Sequence, residues 1–176
     1  MFNKIDDKLK KHNKIGNKEV KNLKTAALKS MPAFKNIENV VFKNKCPVEQ
    51  YKIEQHLELY AVENRPILFK IPSGQVLPHL KYVIEYPDLL PCVYVDDGAV
   101  RALLRGATLM APGIKQVPQP FESGDVLAIR LLEQEAAFAV GVAVVSSEEM
   151  AKNPKGDAID IKHILKDGLW EHRDGL

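Results

Sequence analysis

The sequence predicts an α+β chain in two parts, a small α+β front domain followed by a small mixed β-barrel. Three observations predict it. A lysine-rich stretch with apolar residues at three- and four-residue steps gives way near residue 48 to runs that read as strands. Two prolines, Pro87 and Pro91, punctuate the middle of the chain. Beyond them, short apolar runs alternate with turns containing Gly, Pro and Asp, and only two minor helices intervene.

In the front domain the first element is a helix from Asn17. Val20, Leu23, Ala27 and Met31 share one face, and Lys18, Lys21 and Lys29 fall opposite. Pro32 ends it, because the ring cannot continue the hydrogen-bond ladder. Ile37, Val40 and Val41 mark a short second helix ending near Lys45. Strands are expected over 48–53, 57–62 and 66–71, with Glu63-Asn64-Arg65 as the clearest turn. Residues 76–86 are read as one more helix, stopped by Pro87. A boundary in 86–91 divides the chain into domains 1–88 and 89–176, and so short a junction implies that the domains pack.

In the second half, residues 92–95 read as a strand, and Asp96-Asp97 can cap the helix that follows. Val100, Leu103 and Leu104 are expected on its buried side. Arg101 and Arg105, four apart, project together from another. Gly106 ends the helix. Residues 107–110 form a short strand, and Ala111-Pro112-Gly113-Ile114 has the residues of a type II turn. Glu122-Ser123-Gly124-Asp125 turns into a strand over 126–132, and 136–145 is apolar enough to be a central strand. Ser146 and Glu149 fit a capping box, and a last strand covers 158–161.

Composition limits the function. With 176 residues, 45% hydrophobic and 27% charged, the chain is neither disordered nor a coiled coil. The longest apolar run, 136–145, is too short to span a bilayer, so no membrane association is expected. The N-terminus lacks the apolar core of a secretory signal, and a cytoplasmic setting is expected. Cys46 and Cys92 stand alone, so neither a metal held by this chain nor a disulfide framework is expected, and no cofactor. Net charge is +2, yet residues 1–45 hold twelve lysines against four acids, a local +8 that leaves −6 elsewhere. Such a basic block suits a polyanionic partner approached from one side.

Catalytic motifs are missing: no GxSxG, HExxH or phosphate-binding P-loop occurs. Asp96-Asp97 and Ser146…Glu149 read as helix caps, and Cys92 has no histidine at a recognisable spacing. No enzyme is expected.

One stretch is more specific. Asp97-Gly98-Ala99-Val100, Leu103 through Ile114 (LLRGATLMAPGI), Ser123-Gly124-Asp125-Val126, Val140-Gly141-Val142-Ala143 and Lys155-Gly156 follow one another in the order and spacing of a PUA domain, which this part of the chain closely resembles. The resemblance implies a compact β-barrel that binds RNA. Its expected contacts are Gly98, Arg101, Arg105, Gly106, Ala107, Met110, Pro112 and Gly113, with Lys155 and Gly156 from a neighbouring strand. A physical reading agrees, since glycines let backbone amides approach a phosphate and arginines add planar hydrogen-bond forks.

The lysine-rich front domain, the junction and the ending Lys166-Asp167-Gly168-Leu169-Trp170 extend the resemblance to the malignant T-cell amplified sequence family. That resemblance implies a translation factor of the small ribosomal subunit acting in non-canonical initiation, reinitiation and recycling, with tRNA and rRNA as ligands. It also implies a density-regulated protein homologue as partner, itself the zinc-binding member of the pair. Lys18, Lys21 and Lys29 are then the candidate ribosome contacts. The alternative is an accessory or catalytic protein of tRNA or rRNA modification that docks RNA through its PUA domain.

Overall fold

The computed structural model of the chain describes every residue except positions 1, 3, 4, 7, 8, 10, 11, 43–45 and 55. Lys45, expected near the end of the second helix, lies outside the described residues. The chain divides into two compact units, one of Phe2–Tyr82 with Asp167–Leu176, the other of Val83–Lys166.

The first unit is built on an antiparallel sheet ordered β1 (His12–Lys14), β2 (Val48–Glu54), β3 (Leu57–Val62), β4 (Arg65–Lys70), β5 (Val76–Pro78). Helix α1 (Asn17–Ser30) starts where the Glu19 carboxylate accepts the Gly16 amide at 2.8 Å. It buries Leu23 and Ala27 and leaves Lys18, Lys21 and Lys29 exposed, as its periodicity requires. Pro32 opens a 3₁₀ turn, Pro32–Asn36, and α2 (Glu38–Val41) follows. Phe34 and Phe42 meet edge to face at 6.1 Å in the core. Between β3 and β4 the chain reverses on Glu63 and Asn64, both with positive φ (52° and 61°), the hairpin turn whose twist suits two strands.

The expected helix over 76–86 is half right. Val76–Pro78 pairs with β4 as an edge strand, and the helix α3 is confined to Leu80–Glu85. Pro78 explains the division, because proline lacks an amide for a helix interior and is tolerated at a sheet edge.

The last ten residues return to this unit. Asp167 caps α6 (Gly168–Glu171) by accepting the Trp170 amide at 2.8 Å, and Leu169 is fully buried. The Lys81 amide donates to Nδ1 of buried His79, so the ring proton sits on Nε2 and points to the Leu169 carbonyl at 3.3 Å. His79 also stacks on Trp170, and the Arg173 guanidinium lies over the indole at 4.9 Å. Lys81 binds Asp174 at 3.0 Å, and the Leu176 amide reaches the Asn64 carbonyl at 2.8 Å.

The second unit is a six-stranded, strongly curved sheet. It contains β6 (Cys92–Val95), β7 (Leu109–Met110), β8 (Ile114–Gln116), β9 (Val126–Leu131), β10 (Ala137–Ala143) and β11 (Asp157–Ile164), in the order β7-β11-β10-β9-β6-β8. All neighbours are antiparallel except β6 and β9. Val93, Leu127, Ile129, Ala139 and Ile159 fill the interior. Leu103 of α4 (Asp97–Leu104) and Met150 of α5 (Ser147–Lys152) cover it. The capping box at Ser146 and Glu149 forms as its spacing predicts. The buried Arg130 guanidinium fastens the segment Pro87–Leu89 to the barrel by donating to the Pro87 carbonyl at 2.6 Å.

Three details differ from expectation. Leu104 is 44% exposed, not buried, because a helix of eight residues has room for only one inward stripe and Leu103 occupies it. Ala111–Gly113 is a 3₁₀ turn, and Gly113 lacks the positive φ that a type II turn demands. Its lack of a side chain serves space instead, since a Cβ there would stand 3.2 Å from Leu109 Cδ1. Strand β11 continues three residues past 161, pairing with β10 up to Ile164. No helix among the described residues is long and apolar enough to cross a membrane.

Candidate functional site

The candidate face of the barrel is assembled around α4. At the start of α4, Asp96 accepts the Ala99 amide at 2.9 Å. That backbone bond, followed by the Lys115 ammonium at 3.2 Å, holds its carboxyl below the usual aspartate range. At its end the Gly106 amide bonds to Leu103 and the Ala107 amide to Ala102, the paired closure in which the intervening residue must be left-handed. Gly106 supplies that with φ of 90°. Leu109 then dives into the core, which fixes the loop 105–108 against the barrel surface.

Backbone pairing brings the next pieces in. Met110 stands opposite Asp157, and the Ala111 amide donates to the Gly156 carbonyl at 2.9 Å. Gly113 rests against Ala99 of α4, as the 3.7 Å from its missing Cβ to that side chain shows. Gly98, Arg101, Arg105, Gly106, Ala107, Met110, Pro112, Lys155 and Gly156 are all exposed, and Gly113 is half-buried. Arg101, Arg105 and Lys155 make no ion pair among the described residues. Leu104 and Met110 are two of four large apolar residues exposed among the described ones, Met110 at 50%. The arrangement therefore offers unneutralised cations, accessible backbone and an apolar spot. It suits an anionic chain with planar groups.

Lys18, Lys21 and Lys29 lie in the other unit, exposed along α1 and without an ion pair among the described residues. Lys24 differs from them, since it binds Glu38 at 2.9 Å and covers the Phe42 ring at 5.0 Å. Cys46 and Cys92 are in no disulfide, Cys46 donating to Glu63 Oε1 at 3.4 Å, and among the described residues no group of three or more His, Cys, Asp or Glu could hold a metal ion.

Sequence reasoning missed two residues of the barrel face. Leu104 was placed inward by periodicity alone. Lys115 carries no pattern of its own, because its partners Asp96 and the Pro112 carbonyl are fixed only by the fold.

Residues 91–165 match the PUA domain, and residues 3–87 match the Pre-PUA-like domain. The class is thus a two-domain PUA protein of α+β fold. Among solved structures, a PUA domain from Aeropyrum pernix K1 is similar at a TM-score of 0.72 and 28% identity, covering 94% of this chain and 91% of that one. A hypothetical protein of Pyrococcus horikoshii OT3 shares the fold at a TM-score of 0.74 and 23% identity, covering 92% and 98%. Malignant T-cell-amplified sequence 1-B of Xenopus laevis is 33% identical over 97% of both chains. Malignant T-cell-amplified sequence 1 of Danio rerio matches at the same level. Translation machinery-associated protein 20 of Saccharomyces cerevisiae is 29% identical, again over 97% of each. The chain belongs to the malignant T-cell-amplified sequence family.

Proposed function

We propose that this protein is an RNA-binding translation factor of the cytoplasm that works by positioning and makes or breaks no bond. The observation that carries this reading is the pair of unneutralised arginines, Arg101 and Arg105, beside Gly106, Met110 and Gly156 on a PUA barrel. Membership of a family that includes a translation machinery-associated protein supports the setting. The barrel face takes RNA, with the acceptor end of tRNA as the favoured ligand. Exposed α1 lysines meet rRNA of the small subunit, and apolar surface of the first unit takes a density-regulated-protein homologue. The pair then acts in non-canonical initiation, reinitiation and recycling.

Filter binding of tRNA at two salt concentrations tests the RNA step, because phosphate contacts make affinity fall steeply with salt. A pull-down from extract, scored for small subunits and for the partner chain, tests the setting. Salt-independent or absent tRNA binding would sink the first part, and a pull-down without ribosomal RNA the second. Mass spectrometry of RNA after incubation with the protein checks that no base is modified.

A further inference from the structure

Lys115 sits on β8, outside every motif in the chain, and makes two contacts that join separate pieces of the barrel face. Its Nζ lies 3.2 Å from Asp96 Oδ2 and donates to the Pro112 carbonyl at 3.1 Å. Asp96 uses its other oxygen to cap α4 through the Ala99 amide. The Pro112–Gly113 corner already leans on Ala99 through Gly113. One ammonium therefore bridges the helix start at Asp96 and the corner at Pro112, sixteen residues apart, which close on each other nowhere else by a side-chain bond among the described residues.

We infer that Lys115 is a positioning residue for the RNA face, setting the Pro112–Gly113 corner against the first turn of α4, and that its charge is spent on Asp96 rather than on phosphate. The inference rests on the RNA reading above and adds a division of labour among the cations. Arg101 and Arg105 have no ion pair among the described residues and neutralise phosphate. Lys115 has one and does not.

The two roles leave different signatures. Removing a phosphate contact lowers affinity and also lowers the salt slope of binding, by about 0.7 per charge on single-stranded nucleic acid. Removing a positioning contact lowers affinity at unchanged slope. Exposed pairs of this kind contribute little, so Lys115→Met should weaken RNA binding about two- to fivefold. Asp96→Asn should do the same, because asparagine still caps the helix but no longer holds the ammonium. The double variant should be no weaker than either single one, and Lys115→Arg should restore affinity, since a guanidinium spans the same two acceptors.

The experiment is tRNA binding by the full chain at four salt concentrations, well below the melting temperature of each variant, with Arg101→Gln as the phosphate-contact reference. Wild-type binding with a reduced slope in Arg101→Gln upholds the RNA reading. On that background, a weaker Lys115→Met with the wild-type slope, non-additive with Asp96→Asn, supports the inference. A slope reduced as in Arg101→Gln would make Lys115 a phosphate contact, and unchanged affinity would leave it a surface lysine. Either result overturns the inference while the RNA reading stands. Failure of the wild-type chain to bind RNA removes both.

Discussion

The amide of Gly168 donates to the carbonyl of Phe2 at 2.6 Å, so the last helix closes on the second residue of the chain. A Cβ at Gly168 would collide with that same carbonyl. Gly168→Ala should therefore destabilise the first unit by about 1–3 kcal/mol, the usual range for forcing an atom into a packed contact. Chemical denaturation followed by the single tryptophan, Trp170, reads it out, because that ring belongs to the same last helix and stacks on His79. An unchanged midpoint would mean that the last turn detaches at no cost.

Glu58 gives the first unit a pH dependence of known sign. Burial raises its carboxyl, but the hydrogen bond from Tyr60 at 2.7 Å and the Lys70 ammonium at 3.3 Å prevail and hold it below its ordinary value. The unfolded chain then binds more protons in the acid range, so the contribution is complete above about pH 4.5 and is lost as pH falls through the folded value. Glu58→Gln should flatten the decline of melting temperature on acidification below pH 4.5, and an identical decline would assign it to other carboxylates.

On the barrel, Arg105→Glu replaces an unneutralised cation by an anion beside Gly106. It should weaken tRNA binding by more than about 1 kcal/mol without loss of fold. Unaltered affinity in a folded variant would put the RNA face elsewhere on the barrel.

Replacing Lys18, Lys21 and Lys29 together by Gln should reduce association with small ribosomal subunits and its salt dependence. Melting temperature should hardly move, because exposed lysines on a helix contribute little to folding. A large drop in melting temperature would mean that this face is covered in the native protein.

The partner proposal has a direct elemental test. Purified chain should contain no stoichiometric zinc, while its complex with a density-regulated-protein homologue should, since four-coordinate zinc needs clustered Cys or His and here Cys46 and Cys92 stand apart. Zinc bound through either cysteine of the free chain would overturn it.

Local rules carried most of the fold. The helical stripe of Leu23 and Ala27, the turn at Glu63 and Asn64, the caps at Asp96 and Ser146 and the glycine closure at Gly106 each depend on residues a few positions apart, and they form as patterned. What escaped depends on distant pairing. Val76–Pro78 becomes a strand because Phe69 and Lys70 offer an open edge, and no periodicity in 76–86 announces that. Buried Leu169 gives its carbonyl to the ring of His79, 90 residues away. On the candidate face, motif order placed Arg101, Arg105 and Gly106, whereas the Lys115 link needed coordinates, because a lysine finds its carboxylate through folded geometry and not through spacing.

The return of Asp167–Leu176 to the first unit has a consequence for how the protein is made. Its sheet is translated first, yet Leu169 and Trp170, which meet His79, are made after the last strand of the barrel. An N-terminal domain usually matures first during synthesis, and here it must wait for residues from the far end of the chain. The half of the chain born earliest is the last to receive all of its parts.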